Sequence, residues 1–263
     1  MLTFKRRIAN MLEHLSGNFI VPPDGLDALP QSMHLRRFFS NFGVDCVFDI
    51  GANEGQYARM LREKVGFTGD IVSFEPIPEL ADKLRSQSAA DGRWRIEQLA
   101  LDCEAGPATF HVMHESVFSS LRQPCSDQLG MFDAGNRVVR SITVERSTVA
   151  AEFARLQAQL GFQRPFLKID TQGNDTAVVQ GAGNVLGSFV GIQTELAIRR
   201  IYEDAVGFTE ALADLQVRGF ELSAFVPNNA GHFPMLVEID CILYCRDALS
   251  RMGGVDGQRA AIR

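Results

Sequence analysis

The sequence predicts an α/β protein: a seven-stranded, mostly parallel sheet with one antiparallel strand at its C-terminal end and helices on both faces. Three observations predict it. Short apolar runs alternate with helical patterns along most of the chain, as βαβ crossovers require. The last two runs follow one another with no helix between them, which makes them antiparallel. The chain has 263 residues, 46% hydrophobic and 22% charged, enough for one large core.

The elements follow in order. Residues 1–15 carry Leu2, Phe4, Ile8, Met11, Leu12 and Leu15 at helical spacing, an amphipathic helix expected to pack on the domain, with a membrane surface as the alternative seat. Pro22, Pro23 and Pro30 mark residues 18–30 as a linker. A helix over 32–43, ended by Gly43, opens the folded domain. Strands are expected at 46–52, 70–76 and 95–101, separated by helices at 56–66 and 77–89. Residues 108–113 and 140–146 alternate as strands around a polar segment, 114–139, expected to carry substrate contacts. Alternation resumes with a helix near 147–160, a strand at 165–170, a helix over 174–186, a strand at 190–196 and a helix near 208–218. Strands at 220–227 and 236–246 close the fold. The organisation read from this is 1–31 helix and linker, 32–250 folded domain with an insertion at about 103–146, and 251–263 tail.

Charge and cysteine usage narrow the partners. A net charge of −6, from 26 basic and 32 acidic residues, offers no basic surface for nucleic acid. No run of about 18 apolar residues occurs, so no transmembrane span is expected. Cys46, Cys103, Cys125, Cys241 and Cys245 lack a zinc-knuckle spacing and read as free thiols of a reducing, cytoplasmic compartment. Oligomeric state leaves no trace in the sequence.

The segment FDIGANEGQY, residues 48–57, places Asp49 at the end of a buried strand, followed by Gly51, Ala52, Asn53 and Gly55 and then by a helix from about Tyr57. Glycines there allow a ligand close to the backbone, and the first turn offers unpaired N–H groups that suit the carboxylate of a methionine moiety. Asn53 stands where a dinucleotide fingerprint needs its second glycine, which counts against NAD and FAD. Glu75, 24 residues past Gly51 and followed by Pro76, ends the second strand where an acid can accept from ribose hydroxyls. Leu101 and Asp102 end the third, within reach of an adenine ring. The cofactor these residues suit is S-adenosyl-L-methionine.

VFDIGANEGQY, SFEP, the ALD strand end, Ser119-Ser120-Leu121 and LKIDTQGNDTAVVQGA (167–182) together resemble the FkbM family of methyltransferases, over roughly residues 33–246. The resemblance implies the Rossmann-like class I methyltransferase fold and S-adenosylmethionine-dependent O-methylation of a small-molecule or glycan hydroxyl. The family's KID-x-[QE]-G-x-E block stands here as KIDTQGND, with Asp175 for the usual glutamate, and its common last-strand aspartate is matched by Asp240.

Methyl transfer to an alcohol needs in-line positioning and a general base. Candidates lie at the carboxyl ends of the parallel strands, where open α/β sheets bind ligands. Asp170 and Glu195 end adjacent strands and are the candidate base and orienter, with Asp170 also facing the cofactor; the same pair is a candidate seat for a divalent cation. His114 and His232 are alternative bases, while His111 sits inside a strand pattern. Ser119, Ser120, Arg122 and Gln172 are candidate acceptor contacts. Two rival functions fit the same outline: a catalytically degenerate binding subunit, and an NAD(P)-dependent Rossmann oxidoreductase or epimerase, the latter disfavoured by Asn53 and the closing strand pair.

Overall fold

The computed structural model describes residues 29–228 and 234–256. The expected N-terminal helix, most of its linker and the last residues of the tail lie outside them. The chain runs α1 (Leu29–Phe42), β1 (Cys46–Ile50), α2 (Gln56–Met60, continued by a π turn, Leu61–Val65), β2 (Asp70–Phe74), α3 (Pro78–Ser88), β3 (Trp94–Glu97), β4 (Ala100–Leu101), β5 (Gly106–Met113) and β6 (Val138–Ser147). It continues α4 (Val149–Leu160), β7 (Pro165–Ile169), α5 (Asp175–Ala182), β8 (Gly191–Ala197), α6 (Phe208–Val217), β9 (Phe220–Asn228), β10 (Glu238–Cys245) and α7 (Arg246–Asp256).

Seven strands form one sheet in the order β3-β2-β1-β7-β8-β10-β9. All pairings from β3 to β8 are parallel, and β10 is antiparallel to both neighbours. The order steps outward from β1 in one direction and from β7 in the other, so the chain reverses between these two strands. Their carboxyl ends open the crevice in which such sheets bind ligands.

All five residues of β1 and of β7 are buried, as expected for parallel strands covered on both faces. Successive side chains feed opposite layers. Phe166 meets Phe38 and Phe39 of α1 at 5.4 and 5.0 Å between ring centroids. Phe48, on the other face, meets Phe162 and Phe189 at 5.6 and 5.4 Å, and Phe153 of α4 meets both of those rings edge to face. Thr148 caps α4 by accepting from Ala151 N (3.2 Å), and Gly161 ends it at φ +71°.

Four departures from the sequence reading have local causes. Leu29 and Pro30 belong to α1: proline is tolerated in a first turn, where its missing N–H would be unpaired anyway. The run 95–101 is two strands, because after Glu97 the chain leaves the main sheet and Ala100–Leu101 pairs with β6. β4, β6 and β5 form a second, three-stranded sheet over the carboxyl edge of the first. Between β5 and β6, the polar segment contains two short 3-10 turns, Ser116–Phe118 and Gly130–Phe132, whose Phe118 and Phe132 rings meet edge to face at 5.9 Å. Finally, α7 carries helix across the expected boundary at residue 250.

Candidate active site

The loop after β1 is shaped by backbone contact with the end of β7. Gly51 has φ +75°, and a Cβ there would lie 1.8 Å from the Asp170 carbonyl oxygen, so no side chain fits. Asn53 also adopts positive φ, +47°; its N–H donates to Glu75 Oε2 (2.8 Å) and its Oδ1 accepts from Ser116 Oγ (3.0 Å). The other Glu75 oxygen accepts from Ile77 N at 2.9 Å. Burial pushes the Glu75 carboxyl up to about 7 against the pull of those two backbone bonds.

Beneath the loop, Asp49 is wholly buried and accepts from Ser73 Oγ (2.8 Å), which in turn accepts from Trp94 Nε1 (2.9 Å). Asp49 Oδ1 lies 3.2 Å from Lys168 Nζ, its register neighbour on β7. Burial opposes the charge of Lys168, but Asp49 and Asp170 more than compensate and hold its pKa above the ordinary lysine value. Its ammonium also donates to Gly51 O (3.2 Å), tying loop, β1 and β7 together.

A cleft of about 370 Å³ opens above this loop. Pro76, Leu99 and Leu101 are among its apolar lining residues, and Gly51, Ser119 and Asp170 line it as well.

At the ends of β7 and β8 the Gln172 amide joins the two carboxylates. Its Nε2 donates to Asp170 Oδ1 (2.9 Å) and to Glu195 Oε2 (2.8 Å), and its Oε1 accepts from Tyr202 Oη (2.9 Å). Gln172 has φ +55°, and Ser120 Oγ, fully buried, donates to its carbonyl at 2.7 Å. Asp175 accepts from Thr171 Oγ1 and from Thr194 Oγ1, each at 3.0 Å, fixing the turn between β7 and α5. Burial, then the Asp170 charge, raise Asp175 to about 6. Glu195 is raised by burial and by Glu238 and Asp170.

The model of the methyltransferase FkbM domain matches residues 49–222, about two thirds of the chain. The chain belongs to the FkbM methyltransferase family. Its strand order is that of the Rossmann-like class I methyltransferase fold. Among solved structures it is similar to magnesium protoporphyrin IX methyltransferase from Synechocystis PCC 6803 with 8% identity, over 92% of this chain and 91% of that one, at a TM-score of 0.45. It is also similar to Aeropyrum pernix fibrillarin with 12% identity, over 76% of this chain and 66% of that one, at a TM-score of 0.42. No curated protein matches it.

The FkbM domain disperses the remaining predicted residues. Ala52 is buried in the loop and Gly55, at φ +79°, opens α2. Tyr57 turns into the core, where its hydroxyl donates to Gln193 Oε1 (3.1 Å) and its ring lies 5.3 Å from Lys168 Nζ. The Asp102 carboxylate is taken up by Arg146 (2.6 Å), Cys103 N (2.8 Å) and Asn174 Nδ2 (3.3 Å). Ser119 Oγ accepts from Met113 N, and Arg122 Nε donates to Asn174 Oδ1 at 2.9 Å. His114 is exposed at the end of β5 and lines neither the cleft nor the neighbouring cavity. His111 is buried, its ring nitrogens within 3.1 Å of Ser141 Oγ and 2.9 Å of Gln123 Nε2. His232 lies outside the described residues. Asp240 accepts from Gln193 Nε2 (3.2 Å).

No group of three or more His, Cys, Asp or Glu with metal-holding geometry occurs among the described residues. The facing oxygens of Asp170 and Glu195 take amide hydrogens from Gln172 instead. The sequence reading missed Lys168, Tyr202 and Glu238. For Lys168 a signal existed: a lysine inside the apolar strand PFLKI needs a buried acid, and parallel pairing supplies Asp49.

Proposed function

We propose that this FkbM-family chain is an S-adenosylmethionine-dependent O-methyltransferase acting on a hydroxyl of a glycan or secondary-metabolite acceptor in the cytoplasm. The observation that carries the reading is the place of Asp170: its half-exposed carboxylate lines the same cleft as Gly51, Pro76 and Leu101 and is held from behind by Gln172. A base is thereby fixed beside the cleft the donor would occupy. The sulfonium cofactor supplies the activated methyl group when bound. This chain's own residues fit it: Gly51 leaves room that a Cβ would fill, the Leu99–Leu101 side suits a planar base, and Glu75 retains lone pairs for ribose hydroxyls. Asp49 and Asn53 shape the loop that would meet the methionine moiety.

Asp170 would take the acceptor's hydroxyl proton while the bound cofactor would give up its methyl group and leave as the neutral thioether, and Glu195 would orient Asp170 through Gln172. Ser119, on the cleft wall, is the insertion residue best placed to touch the acceptor. The acid-rich composition supports a small molecule or glycan in preference to nucleic acid. Calorimetry with S-adenosylmethionine, followed by S-adenosylhomocysteine release across a panel of hydroxylated acceptors, tests both halves. Absence of binding by wild type sinks the cofactor assignment, and tight NAD(P) binding would favour the oxidoreductase reading. Binding without turnover on any acceptor would favour a degenerate binding subunit. Asp170→Asn is expected to bind the donor normally and lose about 10² to 10⁴ in turnover.

A further inference from the structure

Two buried tyrosines end on glutamine amides, and each amide goes on to an acid. Tyr57 Oη donates to Gln193 Oε1 (3.1 Å), and Gln193 Nε2 donates to Asp240 Oδ1 (3.2 Å). Tyr202 Oη donates to Gln172 Oε1 (2.9 Å), and Gln172 Nε2 donates to Asp170 Oδ1 and to Glu195 Oε2. The second chain has a further member. Tyr202 Oη also meets the Phe118 carbonyl oxygen at 2.8 Å, in the insertion between β5 and β6. A phenol has one proton, so the two carbonyl oxygens share it.

The place of Tyr202 is fixed from several sides. The residue is 1% exposed, and it lies on Gly173, where a Cβ would come within 2.8 Å of Tyr202 Cβ and 2.9 Å of its Cγ. Its backbone neighbours are joined to the insertion: Cys125 N donates to Ile201 O (2.9 Å) and Glu203 N to Gln123 O (2.8 Å). Ser120 Oγ, from the same insertion, reaches Thr171 O and Gln172 O at 3.1 and 2.7 Å. Packing with Met113, Phe132 and Ile201 accounts for the ring. It does not account for the hydroxyl, whose burial costs free energy unless it is bonded and which phenylalanine would dispense with. Burial, then Glu238 and Glu195, raise the phenol above its ordinary value, which keeps it a donor.

We infer that Tyr202 is a positioning residue of the methyl-transfer site: through Gln172 it fixes Asp170 and Glu195, and through Phe118 it joins them to the insertion that carries Ser119. The inference rests on the methyltransferase reading for the role of Asp170 as base, and on the hydrogen bonds alone for the link. The two acids draw the amide nitrogen toward them, and the phenol holds the other end so that the side chain cannot swing out.

The test is nuclear magnetic resonance on the full chain, wild type against Tyr202→Phe, which keeps the ring and removes the hydroxyl. The Gln172 side-chain amide, assigned by its loss in Gln172→Met, is expected to exchange with deuterium about tenfold or more faster in Tyr202→Phe, together with the Phe118 and Ser119 backbone N–H groups. The carboxyl carbons of Asp170 and Glu195 are expected to shift, while the Gln193 amide stays as in wild type. Carboxyl carbons that do not move, or a Gln172 amide that exchanges as in wild type, would reduce Tyr202 to a packing residue and overturn the inference. An insertion that stays protected while Gln172 loosens would overturn the link to Ser119. Should Tyr202→Phe not fold, wild type carries the test: a Tyr202 hydroxyl proton that exchanges slowly supports the inference, and one that exchanges as fast as that of free tyrosine overturns it. Calorimetry with S-adenosylhomocysteine separates the two readings. Equal affinity is expected for both proteins, and no binding by wild type would overturn the methyltransferase reading, whatever the amide shows.

Discussion

The two halves of the crevice treat buried acids in opposite ways. On the side proposed for the donor each acid has its partners built in: Asp49 has Ser73 and Lys168, Glu75 has two backbone N–H groups, and Asp102 has Arg146. On the other side Asp170, Asp175, Glu195, Glu238 and Asp240 gather near the ends of β7, β8 and β10; Asp175 accepts from two threonine hydroxyls, and Asp170, Glu195 and Asp240 accept from glutamine amides. Lys168 lies 3.5 Å from Asp170 and 3.2 Å from Asp49. The half proposed for the donor thus has its partners built in, whereas in the other half burial and neighbouring carboxylates raise Asp175, Glu195, Glu238 and Asp240 above their ordinary values.

The halves meet where Gly51 touches the Asp170 carbonyl, and the largest expected effect follows from separating them there. Gly51→Ala must displace backbone, since its Cβ would lie 1.8 Å from that oxygen, at a φ of +75° that alanine resists. A loss of about 4 kcal/mol or more is expected, or no folded protein, read by urea denaturation. A variant within about 1 kcal/mol of wild type would show that the two loops are not in contact.

Next in size is Lys168→Met, which strips the donor half of its cation. Asp49 would be left buried beside one hydroxyl, and a loss of about 3 to 5 kcal/mol is expected. Asp49→Asn combined with Lys168→Met should recover a large part of it, because the uncompensated charge is then gone. Failure of the double variant to recover would mean that Lys168 acts by packing on Tyr57 rather than by charge.

Glu75→Gln changes the donor half without disturbing its shape. The amide keeps an acceptor for Asn53 or Ile77 but not for both, and it cannot accept from both ribose hydroxyls. A fall of about 10- to 100-fold in S-adenosylmethionine affinity is expected by calorimetry, with a loss of about 1 to 3 kcal/mol in stability from the backbone N–H left unpaired. An unchanged affinity would place the ribose elsewhere.

These contrasts were unequally legible in the sequence. FDIGANEGQY, Glu75 and Leu101 could be read because strand, loop and helix are local and the strand ends fall at regular spacing. The nearness of Asp170 and Glu195 followed from parallel pairing, which sets Ile169 beside Thr194. Tyr202 and Glu238 could not be read, because each reaches the site from a distant loop or from the reversed strand, where no periodicity announces which way a side chain faces. Asp102 was expected to serve the adenine, and the Arg146 that occupies its carboxylate arrives from β6, 44 residues on. The split between β3 and β4 was equally hidden, since one apolar run spans both.

The smallest effect concerns pH and tests the raised carboxyls themselves. Burial raises Asp175 and Asp240 to about 6, Glu75 to about 7 and Glu238 to about 8. Each holds its proton in the fold at a pH where the unfolded chain, with carboxylates near about 4, has lost it. The stability gained by holding it is therefore complete below about pH 4 and is lost as pH rises through those folded values. Without ligand, the chain should melt at progressively lower temperature as pH is raised from about 5 to about 8 in scanning calorimetry. Glu238→Gln removes one titrating member. It should match wild type near pH 4.5 and exceed it by about 1 to 2 kcal/mol at pH 8, once the shift is discounted for partial solvent access. Parallel melting curves for the two proteins across that range would mean that Glu238 ionises freely in the fold.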